Sequence, residues 1–287
     1  MKKVLIVGAD SYIGCSFERY VQGRFDVVTV DVRNDEWRNA DFKGFDSVLF
    51  VAGIAHRKQS ADNKDLYYAV NRDLALSVAE KARDESVGQF IYLSSMAVYG
   101  ILSGEITEHQ IPKPLENDYY GLSKYQAELL LEELQVQDFK IAIVRSPMVY
   151  GPGCKGKFQQ LVKIAQKTPI IPIIKNKRSM IFIDNFVEFL AILVQQEVFG
   201  ILCPHNEEYI CTSTMLTELS KGFGRSALRL RVPGFIVKLL MGLSSSAKNA
   251  FGNLYYSPNV AKMPFDDSYQ MAGFEESIRK CIELGKG

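Results

Sequence analysis

The sequence predicts an α/β fold in which a doubly wound parallel sheet is followed by a smaller, mixed C-terminal lobe. Short apolar runs alternate with helix-patterned stretches through residues 1–150, and this alternation is typical of parallel strands joined by crossover helices. The first run is followed at once by a glycine-containing turn. A Gly-Pro-Gly loop signal begins at Gly151, and residues 151–287 are patterned less regularly.

Five apolar runs rich in β-branched residues are predicted to be the strands of the sheet. They are residues 2–7, 26–31, 47–52, 89–93 and 140–145. Helical spacing predicts helices over 67–83 and 120–134, then over 158–167 and from Asn185, with short strands at 169–174 and 200–203. Because ligands of doubly wound sheets bind beyond the carboxyl ends of the strands, we expect the site there.

The composition excludes several classes of partner. The formal net charge of +1 over 287 residues gives no reason to expect a nucleic acid or an acidic membrane. No apolar run approaches the ~20 residues of a membrane-spanning helix, and Asp10 interrupts the first run before a signal peptide could form. The five scattered cysteines are typical of free thiols in a reducing compartment. We therefore expect a cytoplasmic protein that binds no metal, nucleic acid or membrane.

The turn after the first predicted strand has the composition of a phosphate-binding site. Glycines stand at positions 8 and 14, and a glycine turn between a strand and a helix lets a pyrophosphate approach the backbone and the helix N-terminus. An ordinary strand-to-helix turn is the alternative. We expect the dinucleotide to contact Gly8, Ser11, Tyr12, Ile13 and Gly14.

An acid stands at the end of the second predicted strand, where it can accept hydrogen bonds from the adenosine ribose. This acid, Asp31, would repel a 2′-phosphate and so favours NAD over NADP. Arg33 is the opposing signal and keeps NADP open. Asp41 and Phe42 are a further candidate pair for the adenine edge.

Tyr120 and Lys124 are four residues apart in a predicted helix, so they lie on one face, one turn from each other. A phenol has an ordinary pKa of about 10. An ammonium within a few Å stabilises the phenolate, and such a tyrosine can exchange a proton with an alcohol or sugar hydroxyl. The pair therefore predicts acid–base chemistry.

These elements together resemble a known family. The glycine turn, Asp31, the run 94–100, the Tyr120/Lys124 pair and the run 145–153 occur in the order seen in the extended short-chain dehydrogenase/reductases, in their nucleotide-sugar epimerase/dehydratase branch. The resemblance implies that residues 1–150 form a dinucleotide-binding Rossmann domain. Residues 151–287 would form a substrate-binding lobe without a clean linker, and the protein would be a homodimer.

The resemblance also implies roles for single residues. Ser95, four residues before Tyr99, takes the position of the family's catalytic hydroxyl, and Met96 beside it would contact the substrate. Arg178 takes the position of an arginine that clamps the nucleotide diphosphate, and Ala52 would line the cofactor.

Three more positions follow from the same comparison. Asn71 matches a family asparagine that fixes the backbone beneath the active site, although a helix cap is the alternative. His56 or Arg57 would approach the hexose, although a solvated loop is equally consistent with the sequence.

The implied reaction is hydride exchange at a sugar carbon, most often C4. Dehydration is disfavoured because Met96 and Ala97 replace the Asp-Glu pair of the dehydratases. We expect a nucleotide-sugar 4-epimerase that acts on a UDP-hexose or a UDP-N-acetylhexosamine. Two alternatives stay open: an NAD(P)H-dependent 4-keto-sugar reductase, which Met148 in place of an asparagine common in 4-epimerases would suit, and a catalytically silent nucleotide-binding regulator.

Overall fold

The computed structural model describes residues 1–55, 57–235, 250–260, 262–266 and 268–283. The twelve strands are β1 (Lys3–Val7), β2 (Asp26–Val30), β3 (Ser47–Phe50), β4 (Gln89–Ser95), β5 (Gly104–Ile106), β6 (Lys140–Ser146), β7 (Met148–Tyr150), β8 (Ile170–Ile173), β9 (Met180–Phe182), β10 (Gly200–Leu202), β11 (Leu228–Arg231) and β12 (Leu254–Tyr256). The α-helices are α1 (Tyr12–Tyr20), α2 (Lys64–Tyr68), α3 (Leu74–Asp84), α4 (Tyr119–Glu133), α5 (Lys157–Lys167), α6 (Ile183–Gln196), α7 (Thr212–Gly222) and α8 (Phe274–Glu283).

The predicted doubly wound parallel sheet is confirmed. Six strands pair in parallel in the order β10-β6-β4-β3-β1-β2. In β1, Val4 and Ile6 pack into the core that α1 and α6 cover, whereas Leu5 and Val7 pack into the core that α3 and α4 cover. Both faces are buried, and this is why the strand is a continuous apolar run rather than an alternating one.

The predicted helix over 67–83 is not continuous. A π-helical turn at Ala69–Asp73 separates α2 from α3. Asn71 lies in this turn and is fully buried. Because π turns insert an extra residue into a helix and often occur at functional sites, the interruption points to this asparagine.

Segments from the second half of the chain return to the central sheet. β10 pairs with β6, and α6 packs on α1. Gln89 of β4 joins them, since its side-chain amide donates to Leu193 O and Val198 O, each at 2.9 Å. The predicted division at residue 150 is not a structural boundary, because α6 and β10 follow it and yet pack on the central sheet. Whether it separates cofactor binding from substrate binding stays a prediction.

The remaining elements form a smaller lobe at the carboxyl edge of the sheet. It contains three two-stranded parallel sheets, β7–β9, β8–β11 and β5–β12, and α7 packs between α5 and α8. No helix in the described part of the chain is long and apolar enough to cross a bilayer.

Candidate active site

The glycine turn after β1 leads directly into the N-terminus of α1, where the first backbone amides of a helix have no partner within the helix. Gly8 has a φ of +126°, and a Cβ there would lie 2.7 Å from Ala52 N, so only glycine fits. The Ser11 hydroxyl caps α1 by accepting a hydrogen bond from Gly14 N at 3.0 Å. The amides of Tyr12 and Ile13 begin the helix, where the dipole favours negative charge. The turn therefore fits a pyrophosphate.

The side chain of Tyr12 points away from this turn. Its ring packs against the core, and its buried hydroxyl has no hydrogen-bond partner among the described residues. Burial raises the pKa of this phenol, so it stays neutral. The predicted contact of Tyr12 with a cofactor can therefore involve its backbone but not its hydroxyl.

Asp31 and Arg33 form an exposed ion pair at the end of β2. Arg33 Nε donates to Asp31 Oδ2 at 2.8 Å, and its guanidinium also reaches Asp10 at 3.2 Å. The hydrogen bonds from Arg33 lower the pKa of Asp31, so the carboxylate is ionised. The two residues that gave opposite signals about a 2′-phosphate thus lie side by side.

Phe42 has no surface to offer an adenine. Its ring is fully buried in the core beneath α3, and its backbone N–H donates to Glu85 at 2.6 Å. The structure therefore gives no support to Phe42 as a cofactor contact. Asp41 is exposed, and its contact with adenine stays a prediction.

Ser95 and Tyr120 meet at the carboxyl end of β4. Ser95 is the last residue of β4, and a short 3₁₀ helix at Met96–Tyr99 follows it. This helix touches the first turn of α4 where Gly121 leaves room, since a Cβ there would lie 3.1 Å from Ala97 O. The close approach allows a hydrogen bond between the Ser95 and Tyr120 side chains. Met96 beside them is almost fully buried.

Lys124 is buried beneath this pair rather than directed at the phenol. Its Nζ donates to Leu93 O at 2.9 Å and lies 4.6 Å from the centre of the Tyr92 ring. A Cβ on Gly53 would lie 3.4 Å from Nζ, so the ammonium also borders the loop after β3. Burial lowers the pKa of Lys124 to about 7, and the charge of Glu128 opposes this shift.

One expectation about Tyr120 is corrected. The spacing to Lys124 predicts a lowered phenol pKa, but burial raises the pKa of Tyr120, and the hydrogen bond from Ser95 is what opposes the rise. Four-residue spacing places two side chains on one face of a helix, but it does not decide where a long lysine side chain ends.

Asn71 fixes the backbone beneath the site, as predicted. Its Oδ1 accepts from Ile54 N at 2.8 Å, and its Nδ2 donates to Ile54 O at 3.2 Å and to Ser123 Oγ at 3.1 Å. Tyr92 Oη donates to the Asn71 carbonyl at 2.8 Å. The asparagine thereby joins the loop after β3 to β4 and α4. His56 lies outside the described residues, and Arg57 is exposed.

A buried ion pair that the sequence reading missed lies one turn beyond Lys124. Arg145, near the end of β6, donates to Glu128 from Nη2 at 2.8 Å and from Nε at 3.2 Å. Ser94 also donates to Glu128, and Arg145 donates to Tyr99 Oη at 3.0 Å. Glu128 is 1% exposed and Arg145 6%. The sequence did contain a signal for Glu128. It lies four residues after Lys124 and eight after Tyr120, so the three side chains share one face of the helix.

Arg178 is a buried cation with no carboxylate within ion-pair distance in the described part of the chain. Its Nη1 donates to Gly252 O at 3.0 Å, and burial lowers its pKa. Partial burial lowers the pKa of Lys157, and the neighbouring charge of Arg178 lowers it further. The charge of Asp118 acts on Lys157 in the opposite direction. Arg178 itself is buried with no ion-pair partner among the described residues, and such a guanidinium fits an anionic group. The sequence reading found Arg178 but not Lys157.

The fold is that of a dinucleotide-binding enzyme. The glycine turn follows β1, and the candidates Ser95 and Tyr120 lie at the end of β4, which is separated from β1 by β3 in the sheet. The profile of the family described as "NAD dependent epimerase/dehydratase family" matches residues 3–201. The chain therefore belongs to the NAD-dependent epimerase/dehydratase family, within the extended short-chain dehydrogenase/reductases.

Relatives with described activities are distant. The UDP-glucose 4-epimerase of Vibrio cholerae is 28% identical over 88% of this chain and 86% of its own length. The N-acetyl-α-D-glucosaminyl-diphospho-ditrans,octacis-undecaprenol 4-epimerase of Escherichia coli O157:H7 is 26% identical over 69% of this chain and 64% of its own. The fold is similar to that of the UDP-glucuronic acid 4-epimerase from Bacillus cereus in complex with NAD, with a TM-score of 0.75, 19% identity and coverage of 99% and 96% of the two chains.

Removing one partner of the buried Glu128–Arg145 pair should destabilise the fold. Glu128→Ala leaves the Arg145 guanidinium without its counter-ion, so we expect the free energy of unfolding to fall by about 3–5 kcal/mol. Urea denaturation measures it. Glu132→Ala, at an exposed position of the same helix, is the control and should change stability by less than about 0.5 kcal/mol. Equal effects of the two substitutions would contradict a structural role for the pair.

The lowered pKa of Lys124 should make the stability of the fold depend on pH. The pKa of Lys124 is about 7 in the folded chain and 10.5 in the reference state, so the unfolded chain binds more protons between these values. Wild-type stability should then rise with pH above about 7, by up to ~1.4 kcal/mol per unit relative to Lys124→Met. Denaturation at about pH 7 and pH 9 measures the difference. The exposed Lys43→Met should show no such trend, and a flat difference for Lys124→Met would refute the lowered pKa.

Proposed function

We propose that this protein is an NAD-dependent 4-epimerase of a nucleotide sugar, a UDP-hexose or a UDP-N-acetylhexosamine. The observation that carries the proposal is the position of Ser95 beside Tyr120 at the carboxyl edge of the sheet, on the same edge as the glycine turn. The Ser95 side chain is close enough to lower the pKa of the Tyr120 phenol against the effect of burial. Acid–base groups beside a dinucleotide site are the arrangement that hydride chemistry on an alcohol requires.

NAD, when bound, supplies a reversible hydride acceptor for the sugar carbon. The chain's own contribution is to hold it. Gly8 and the first amides of α1 would hold the pyrophosphate, and Asp31 would accept from the ribose hydroxyls. The side chain of Ala52, next to the glycine turn, would line the same space.

Tyr120 would take the proton of the sugar hydroxyl and later return it. Burial raises the pKa of Tyr120, so the phenolate must be stabilised by groups that act on it directly. Ser95 does this by its hydrogen bond and can hold the same sugar oxygen. Lys124, one turn away, would add a positive charge to the site only in its protonated form, since burial lowers its pKa to about 7.

Arg178 and Lys157 would hold the diphosphate of the substrate. A guanidinium binds phosphate oxygens in a forked geometry, and Arg178 is buried without an acidic partner among the described residues. The anion would then supply the missing counter-charge. Met96 would border the sugar, although its side chain is 7% exposed and offers little surface.

Dehydration has no chemical support in this site. Loss of water needs an acid and a base beside the sugar, and the residues that follow Ser95 are Met96 and Ala97. A 4-keto-sugar reductase would use the same serine, tyrosine and lysine, so the assay must separate it from an epimerase. Homodimer formation stays a prediction of the family resemblance.

The test of the reaction is a proton NMR time course with UDP-glucose, UDP-galactose and their N-acetyl forms, with trace NAD only. Conversion at C4 without net cofactor consumption is expected. Tyr120→Phe should lower the rate by about 10²–10⁴-fold because the proton acceptor is lost. Tyr119→Phe, one residue earlier on the same helix, is the matched control and should keep the activity.

Two other results would contradict the proposal for these sugars. NADH oxidation with a 4-keto sugar, without epimerisation, would establish the reductase. Failure to bind any dinucleotide would revive the silent alternative. Because one relative is described as acting on an undecaprenyl-linked sugar, a polyprenyl-diphosphate N-acetylhexosamine belongs in the same panel of substrates.

Loss of the Arg178 guanidinium should weaken the binding of the substrate diphosphate. Arg178→Met should raise the KM for the active sugar by about 10–100-fold, since a hydrogen bond to a charged group contributes about 1.5–3 kcal/mol. The kcat should change little, because the diphosphate is remote from the reacting carbon. Lys175→Met, at an exposed position three residues away, is the control. A fall in kcat at unchanged KM would refute the clamp.

A further inference from the structure

The small lobe exposes an apolar strip on a two-stranded sheet. In the β8–β11 pair, Leu228 lies opposite Ile170, and Leu230 lies opposite Pro172. Residues opposite each other in a pair share a face, so these four side chains form one continuous strip. Leu228 is 64% exposed, Leu230 51% and Ile170 46%. A contiguous apolar surface of this kind on a folded domain usually marks an interaction site.

Two further exposed apolar residues lie close to these strands along the chain. Ile164 of α5 is 44% exposed and lies in a hollow with Lys163, Lys167 and Pro169, directly before β8. Phe235, four residues after β11, is 73% exposed. We call the four strand residues together with Ile164 and Phe235 the apolar face.

Only basic charges surround this face in the sequence. Residues 151–183, which contain α5 and β8, include seven Lys or Arg and no Asp or Glu. Residues 219–235, which contain β11, include four Lys or Arg and no Asp or Glu. The whole chain has a net charge of only +1, so the two stretches that carry the face are more basic than the rest of the chain.

The cations nearest the face are available to a partner. Lys163 and Lys167 flank Ile164 in the hollow before β8. Arg229 and Arg231 alternate with the leucines of β11, so they lie on the opposite face of the strand and can reach the rim only around its edge. None of the four lies within 4 Å of a carboxylate in the described ranges of the chain. Lys157 and Arg178, by contrast, belong to the diphosphate cleft already described.

We propose that the apolar face and its basic rim dock this protein on the surface of an anionic lipid bilayer. Apolar side chains that insert at the headgroup boundary, surrounded by Lys and Arg that meet anionic lipids, are the two requirements for such binding. The membrane would be contacted and not spanned.

The charges also argue against the two other occupants. A second copy of this chain, packed face to face, would place like charges opposite each other with no carboxylate to pair them. A nucleic acid would satisfy the cations but would leave Leu228, Leu230 and Phe235 in water, since its backbone offers no apolar surface. A bilayer satisfies both features.

The test is co-sedimentation of the full chain with phosphatidylcholine vesicles that contain or lack phosphatidylglycerol. We expect binding only to the anionic vesicles, weakened by salt. The double variant Leu228→Glu/Leu230→Glu should lower the partition coefficient at least about tenfold, since burial of one leucine is already worth that factor. Lys163→Gln/Lys167→Gln should lower it by about fivefold for each lysine.

Phe199→Glu is the matched control, because Phe199 is 52% exposed but lies before β10, outside the acid-free segments. It should bind vesicles as the wild type does. Circular dichroism and epimerisation of a water-soluble sugar nucleotide confirm that each variant is folded. Vesicle binding needs no turnover, so its failure is distinguishable from failure of the proposed reaction.

Three outcomes would overturn the proposal. The first is equal binding to vesicles with and without phosphatidylglycerol, or binding to neither. The second is unchanged binding by the double leucine variant. The third is evidence for another occupant of the face. This would be either an oligomer that the wild type forms and the double leucine variant does not, or binding of a DNA duplex that is equally tight for the wild type and that variant.

Discussion

The buried ion pair between Glu128 and Arg145 holds the elements of the site in one arrangement. Glu128 belongs to α4, which carries Tyr120 and Lys124, and Arg145 belongs to β6, the neighbour of the strand that ends in Ser95. A carboxylate and a guanidinium that are both out of water tolerate little displacement, because an unpaired buried charge is costly. The pair therefore fixes α4 against the carboxyl end of the sheet, and Gly121 lets the two surfaces close.

The same burial sets the protonation chemistry. It raises the pKa of Tyr120 and lowers that of Lys124, so each side chain favours its neutral form. Two groups act in the opposite direction: Ser95 by a hydrogen bond to the phenol, and Glu128 by its charge near the ammonium. An ionisable side chain buried in this way depends on its immediate partners rather than on solvent. The protonation states of Tyr120 and Lys124 therefore depend on four residues from two elements, β4 and α4.

The net charge of the whole chain does not show how its charged residues are distributed. A value of +1 gave no reason to expect a nucleic acid or an acidic membrane as a partner. The β8–β11 pair brings two acid-free stretches of the chain, residues 151–183 and 219–235, together beside the apolar face. The potential that a partner meets depends on the local distribution of charge and falls off within about 10 Å at moderate salt. A whole-chain sum is therefore a poor guide to the surface.

The sequence by itself determined the sheet, its parallel winding, the glycine turn and the identity of Ser95, Tyr120 and Lys124 as candidates. These follow from local rules: apolar period, turn chemistry and spacing along one helix act within a few residues. The sequence did not show the π turn at Asn71, the burial of Phe42, the path of the Lys124 side chain or the partnership of Glu128 with Arg145. Only the tertiary structure decided these, because each depends on which distant segment fills the space beside a residue, and burial, hydrogen bonds and pKa values all depend on that neighbour.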